Sequence, residues 1–250
     1  MKPKSSTEIQ AMRESGKMVA IILDLMRKES VAGITPKQLS AIAGKELKAL
    51  GGVPTCLGYG FPPFPDVICI SVNDQVQHCV PTDEPLENGD AVNFDFVVTY
   101  KGMIADAGTT VCVGGKPSKD VSRLLEGTEQ ALYDAIAMIK AGIKVGDISA
   151  TIEKTLKKYK LGIVRELVGH GVGYEMHDDP EIPNYGKAGL GPVLKAGMTI
   201  AVEPITTLGK PDIYEEKDGW SLRTYDGSWS AQFEHTLLIT NDGCEILTSL

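Results

Sequence analysis

Apolar residues return every three or four positions over residues 7–29. Ile9, Met12, Met18, Ile22 and Leu25 or Met26 share a face, which predicts an amphipathic helix. Thr35-Pro36 then supplies an N-cap and a first helical residue, so a second helix is expected there. Residues 51–66 are rich in Gly and Pro and read as a loop. After them the period shortens. "VICISV", "DAVNFDFVVTY" and "MIADAGTTVCV" are dense in β-branched and aromatic residues and predict strands. Helical spacing resumes at about 118–140 and 147–160, and strands at "MTIAVEPIT" and "SAQFEHTLLIT". Residues 178–230 otherwise read as loop, with 208–230 polar and Gly-rich. Helices followed by strands, twice over, give an α+β architecture.

The two rounds are alike in sequence. "AGITPKQLSAIAGKELKALG" (32–51) aligns with "AGIKVGDISATIEKTLKKYK" (141–160) at a constant offset of 109, with eight identical residues. The bland explanation is two similar amphipathic helices. The alternative is a duplication, with halves at about 7–116 and 117–250 packed as a single domain spanning 1–250.

One position contradicts its surroundings. Asp95 lies mid-strand in "AVNFDFVVTY", where an ionised carboxylate costs several kcal/mol unless compensated. Asp106 lies on the next strand. If Lys101-Gly102 makes the turn and Tyr100 pairs with Met103, Asp95 faces Gly108, and Asp106 points to the same sheet face. Asp95 shifted by the repeat offset falls one residue beyond Glu203, another acid in an apolar run, and Glu234 in "SAQFEHTLLIT" completes a second pair. Two such carboxylates cannot both stay ionised unpaired. Two divalent cations would balance four of them, which favours a dinuclear site with bridging carboxylates.

Composition sets bounds around that chemistry. The chain has 250 residues, 23% of them charged and 42% hydrophobic, which is ordinary for a globular protein. A net charge of −8 argues against a nucleic-acid groove. The N-terminus lacks the apolar run of a signal peptide, and "VAIILDLM" is too short to span a bilayer, so no membrane association is expected. Five cysteines without a CxxC point to reduced thiols and a cytoplasmic protein. The histidines are His78, His170, His177 and His235; "GHGVGYEMH" sets two of them seven residues apart. Imidazole beside carboxylates suits Mn, Fe, Co or Zn better than Ca or Mg.

Taken together, "VICISVND", His78, "NFDF", the second Asp eleven residues on, "GHGVGYEMH", "TIAVEP", "KDGW" and "SAQFEHT" closely resemble the type I methionine aminopeptidases, over nearly the whole chain. The resemblance implies the pita-bread fold, two pseudo-symmetric halves around a curved antiparallel sheet. It implies hydrolytic removal of the initiator methionine from nascent polypeptide N-termini, with a small second residue preferred, by a cytoplasmic monomer. Asp95 would chelate one metal, Asp106 and Glu234 would bridge both, and His170 and Glu203 would complete the other. His78 and His177 would bind and polarise the substrate, and Glu203 would also shuttle a proton. Cys56, Tyr59, Phe64, Cys69, Met176 and Trp220 would line the methionine pocket.

The chain departs from the family pattern at Cys79, where Gly is usual, at Ala107, where Thr or Ser is usual, and in "GFPP", which lengthens the loop before Phe64 by about two residues. Cys79 is expected to narrow the space for the second substrate residue. A Xaa-Pro aminopeptidase of the same fold is the nearest rival. It would carry a long extra N-terminal domain, and the first repeat here begins by residue 32. A non-catalytic binding protein on this scaffold is the rival of another class, and such proteins typically lose metal ligands.

Overall fold

The Ser5 hydroxyl accepts a hydrogen bond from the backbone N–H of Glu8 while the Glu8 carboxylate accepts one from the Ser5 N–H, a capping box that starts the first helix. The structure is a computed structural model and describes residues 2–250. The first half holds α1 (Ser6–Glu29), α2 (Pro36–Leu50), β1 (Val53–Pro54), β2 (Cys69–Val72), β3 (Gln75–Gln77), β4 (Ala91–Tyr100) and β5 (Met103–Cys112). The second half holds α3 (Lys119–Ile136), α4 (Val145–Tyr159), β6 (Gly162–Ile163), β7 (Gly169–Gly171), β8 (Asp178–Ile182), β9 (Thr199–Val202) and β10 (Ile205–Thr207). It continues with β11 (Ile213–Glu215), β12 (Leu222–Thr224), β13 (Ser230–Gln232), β14 (His235–Ile239) and β15 (Cys244–Ile246).

β4 runs antiparallel to β5 along one edge and to β2 and β1 along the other. In the second half β14 and β7 flank β9, and β13 and β6 flank β10. β9 and β10 are one strand interrupted at Glu203-Pro204, because Pro204 has no N–H to give the ladder. The expected strand "SAQFEHTLLIT" is likewise split, at Phe233-Glu234.

The helices cover one face of these sheets. Val92, Phe94, Phe96 and Val98 of β4 pack with Ile22, Met26 and Leu39 of α1 and α2. Ile200, Val202 and Leu237 pack with Leu124, Ile148 and Ile152 of α3 and α4. Strand alternation therefore sends Asn93, Asp95 and Val97 to the opposite face.

The halves meet along β5 and β13–β14. Gly108 and Glu234 exchange backbone hydrogen bonds of 2.9 and 3.4 Å. On either side the Thr236 hydroxyl bridges to the Asp106 backbone and the Thr110 hydroxyl to the Gln232 backbone. This seam brings the acids of both halves to one place.

Two stretches differ from the sequence expectation. Residues 208–230 contain β11 and β12, which with β3 form a three-stranded sheet, and β8 lies at 178–182. These strands are short, polar and half-exposed, so they leave no apolar alternation to read. The loop over 51–66 also contributes β1, paired with Val98 and Thr99.

Candidate metal centre

Asp95 and Asp106 owe their meeting to the hairpin. Lys101 and Gly102 both take positive φ, 49° and 76°, the two-residue turn that matches strand twist. Tyr100 pairs with Met103, Asp95 with Gly108 and Val97 with Asp106, so the two carboxylates lie diagonally on one face. In the other half the register is the same on both sides of the break: Val202 opposes His235 and Ile205 opposes Gln232. Glu203 is thereby set opposite Glu234. His170 comes from β7, paired with Ala201.

The histidine's tautomer follows from its neighbours. His170 Nδ1 is 2.9 Å from the Gly171 carbonyl, which can only accept, so Nδ1 carries the proton. Nε2 then presents a lone pair toward Glu203 Oε1 at 3.5 Å and Asp106 Oδ2 at 3.9 Å. Burial, and then the neighbouring His177, lower the His170 pKa to about 4, so the ring is neutral. Ligand atoms of Asp106, His170 and Glu234 all fall within 4.8 Å of one another.

The acids are far from their ordinary ionisation. Burial lifts Asp95 to about 6. Asp106, Glu203 and Glu234 are pushed well above the usual carboxylate range, first by desolvation and then by the charge of Asp95 and of one another. Asp95 Oδ1, Asp106 Oδ1 and Glu234 Oε1 are buried with no hydrogen-bond partner. Each such orphan costs about 1–3 kcal/mol or more. Orphaned oxygens, clustered acids and an imidazole lone pair aimed at them form a donor set that fits divalent cations.

Gln232 and Asn93 hold the cluster from behind, and sequence reasoning missed both. Asn93 Nδ2 donates to Gln232 Oε1 at 2.8 Å, and Gln232 Nε2 donates to Glu234 Oε2 at 2.9 Å. Asn184 Nδ2 donates to the Glu203 carbonyl at 3.0 Å. The signal for the first two was spacing: each lies two residues from a site acid, on the same strand face.

A cavity opens beside the carboxylates. Cys56, Tyr59, Phe64, Cys69, Met176 and Trp220, the residues singled out from sequence, line it together with Asp95 and Asp106. Val97 lines it too, again two residues from Asp95. Phe64 and Trp220 meet edge to face with centroids 5.3 Å apart. His78 and His177 complete the wall. Tyr59 Oη is 3.1 Å from His177 Nδ1, and the His177 ring stands edge-on to His170 at 4.6 Å. Desolvation lowers the His177 pKa, and lowers His78 to about 4. His78 is held at φ 57°, a left-handed conformation that costs a non-glycine residue about 1–2 kcal/mol.

Cys79 does not behave as expected. Its side chain is fully buried, and its thiol turns to the carbonyls of Gln77 (3.3 Å) and Leu222 (3.6 Å), between β3 and β12. It is no part of the cavity wall. The left-handed turn at His78 swings the following side chain into the small sheet, which is why a Cys can stand there. Roomier clefts lie behind β14 at Tyr133 and around Asp74 and Glu87. Among the described residues neither has the convergent imidazole and carboxylate atoms found here.

Residues 10–241 match the metallopeptidase family M24. The chain is 41% identical to a methionine aminopeptidase of Aquifex aeolicus, with 98% of each chain covered. It is 38% identical to methionine aminopeptidase 1 of Bacillus subtilis, again over 98% of each. A crystal structure of a methionine aminopeptidase from Thermotoga maritima superimposes over 100% of both chains, with a TM-score of 0.96 at 39% identity. The prolidase of Pyrococcus furiosus shares the fold at a TM-score of 0.79 and 23% identity; the match covers 99% of this chain and 65% of that one.

Proposed function

The chain belongs to metallopeptidase family M24 and is a metal-dependent hydrolase that removes N-terminal methionine; on that premise we propose how its own residues divide the work. Asp95, Asp106, His170, Glu203 and Glu234 would hold two divalent ions drawn from Mn, Fe, Co and Zn, with Asp106 and Glu234 shared between them. The single observation that carries this reading is the set of orphaned oxygens on Asp95, Asp106 and Glu234, facing a neutral His170. When bound, such ions supply Lewis acidity to the scissile carbonyl and a nucleophile at neutral pH.

The methionine side chain lies against Cys56, Phe64, Cys69, Met176 and Trp220, an apolar and polarisable wall suited to a thioether. Tyr59 donates its hydroxyl proton to His177 Nδ1, which leaves Nε2–H as the donor toward the carbonyl oxygen as negative charge develops there. The Tyr59 hydroxyl at Nδ1 sets this tautomer and so keeps the Nε2 proton pointed at the substrate. His78 borders the backbone of the second residue, and the preference for a small residue there rests on the two imidazoles rather than on Cys79. Glu203 accepts a proton and passes it to the leaving nitrogen. The substrates are nascent polypeptide N-termini in the cytoplasm, met by a single copy of the chain.

The test is hydrolysis of a methionine-initiated tripeptide by chelated protein with single ions added back. Activity should vanish on chelation and return with Mn, Co or Fe(II). Asp106→Ala should lose more metal than Asp95→Ala. His177→Ala should keep its metal and lose turnover by about a hundredfold or more. Metal loss in His177→Ala in proportion to activity would make it a ligand, and full activity after chelation would end the metal reading.

A further inference from the structure

The segment from Val53 to Pro65 carries no charged residue. Four large apolar side chains within it stand in solvent: Val53 at 59% exposure, Leu57 at 52%, Tyr59 at 41% and Phe61 at 98%. Scattered single exposures are ordinary, but four within nine residues, one of them almost fully exposed, form a patch. The patch includes the place where the chain is longer than the family pattern, at "GFPP".

This loop is anchored to the cavity. Trp220 Nε1 donates to the Pro62 carbonyl at 2.8 Å, and a side chain at Gly60 would collide with the Trp220 ring. Gly60 itself has φ 72°, so position 60 is reserved for glycine twice over. Gly58 N–H and Phe64 N–H close the loop on the Phe64 and Tyr59 carbonyls, at 2.9 and 2.8 Å. Tyr59 and Phe64, at either end, line the cavity that takes the methionine. Phe61 at the tip therefore has its backbone pinned on both sides while its ring touches almost nothing. A ring fixed in water at the rim of a peptide-binding cavity offers apolar area at little ordering cost.

We propose that Phe61, with Leu57 of the same loop, is a lip that binds apolar side chains of the substrate polypeptide beyond its third residue. The occupant is the substrate because the patch is continuous with the methionine cavity through the same loop. The inference rests on the reading of that cavity given above. Its consequence is a selectivity that a dipeptide or tripeptide does not reveal: among longer chains with the same first three residues, those apolar at the fourth and fifth positions bind more tightly.

The experiment compares the tripeptide Met-Ala-Ser with two hexapeptides, Met-Ala-Ser-Leu-Phe-Ser and Met-Ala-Ser-Asp-Gln-Ser, on metal-loaded wild type and Phe61→Ser. Covering about half of a phenyl ring corresponds to roughly a fivefold effect. The wild type should show a KM about fivefold lower for the apolar hexapeptide than for the polar one, at equal kcat. In Phe61→Ser the two hexapeptides should converge, while the ratio of kcat values between tripeptide and hexapeptides stays as in wild type. Equal KM values for the two hexapeptides on wild type, or a difference that survives in Phe61→Ser, would overturn the lip. Trp220→Ala separates that outcome from failure of the cavity reading itself. If its kcat/KM on the tripeptide matches wild type, the cavity is not where methionine binds, and the lip falls with it.

Discussion

A methyl group at position 108 would enter the space held by the Gln232 side-chain amide. That amide is the middle of the chain from Asn93 through Gln232 to Glu234. Gly108 also sits at the centre of the seam, exchanging backbone hydrogen bonds with Glu234. Gly108→Ala should therefore cost about 1–3 kcal/mol by overpacking and turn Glu234 away from its neighbours. Urea denaturation and metal content measured on the same preparation would show both effects. A variant as stable as wild type and fully metal-loaded would mean that the Gln232 amide does not orient Glu234. At this scale the sequence was legible wherever chemistry clashed with pattern. Asp95, Asp106, Glu203 and Glu234 are acids in apolar runs, and the structure draws all four to one face of the seam. Gln232 and Asn93 carried only the weak signal of lying two residues from a site acid, and the role of Gly108 beyond facing Asp95 comes from what crosses the seam. Cys79 was misread for a related reason. Adjacency to His78 in sequence says nothing about direction when the backbone between them is left-handed.

At the scale of elements, α2 and α4 begin and end at positions separated by the same 109 residues seen in the sequence, as do β1 and β6. The spacing then drops by one before Asp95 and Glu203. β1 meets Val98 through Pro54, whereas β6 meets Thr206 through Ile163. The one-residue discrepancy in the sequence alignment is that drop. We read the correspondence as a duplication of halves. The halves differ at the helix starts. Thr35 Oγ1 accepts from Gln38 N–H and Gln38 Oε1 accepts from Thr35 N–H. At α4 the Lys144 side chain cannot accept, and the remaining bond is the one from its own N–H to Asp147. Thr35→Ala should thus lower stability by about 1 kcal/mol, and Lys144→Ala by less than about half of that, both read from urea midpoints. Equal losses would show that the caps do not distinguish the halves. Long elements such as α1, α2, β4 and β5 were legible because each buries a periodic face. β11 and β12 were not, because each gives the core a single apolar residue, Ile213 and Leu222, and the rest of the sheet is held by backbone pairing and by Arg223 binding Asp74 and Glu216.

Across the whole molecule, buried acids and buried imidazoles pull stability in opposite directions with pH. Without metal, Asp95 gives up its proton near pH 6 rather than 3.8, and Asp106, Glu203 and Glu234 hold theirs higher than ordinary carboxylates. At these four groups the folded chain binds more protons than the unfolded chain above pH 4, so their contribution to stability falls as pH rises. For Asp95 alone the loss is roughly 3 kcal/mol, complete just above its folded pKa. His78, His170 and His235, held near 4 instead of 6.5 by burial, act in the other sense. The unfolded chain takes up their protons, so stability rises with pH between 4 and 6.5 and changes no further beyond. Above that point the raised carboxylates still titrate, three of them, opposed toward pH 8 by the single Lys4, which burial lowers to about 8 and whose deprotonation in the folded chain adds stability as pH rises. The chelated protein should therefore lose Tm as pH is raised from about 6.5 to about 8, while protein saturated with a divalent ion should hold or gain Tm over the same range, its carboxylates already ionised. Calorimetry of both forms at three pH values in that window is the measurement. A chelated protein whose Tm stays level or climbs would mean that something other than a cation already compensates Asp106, Glu203 and Glu234 in the folded chain.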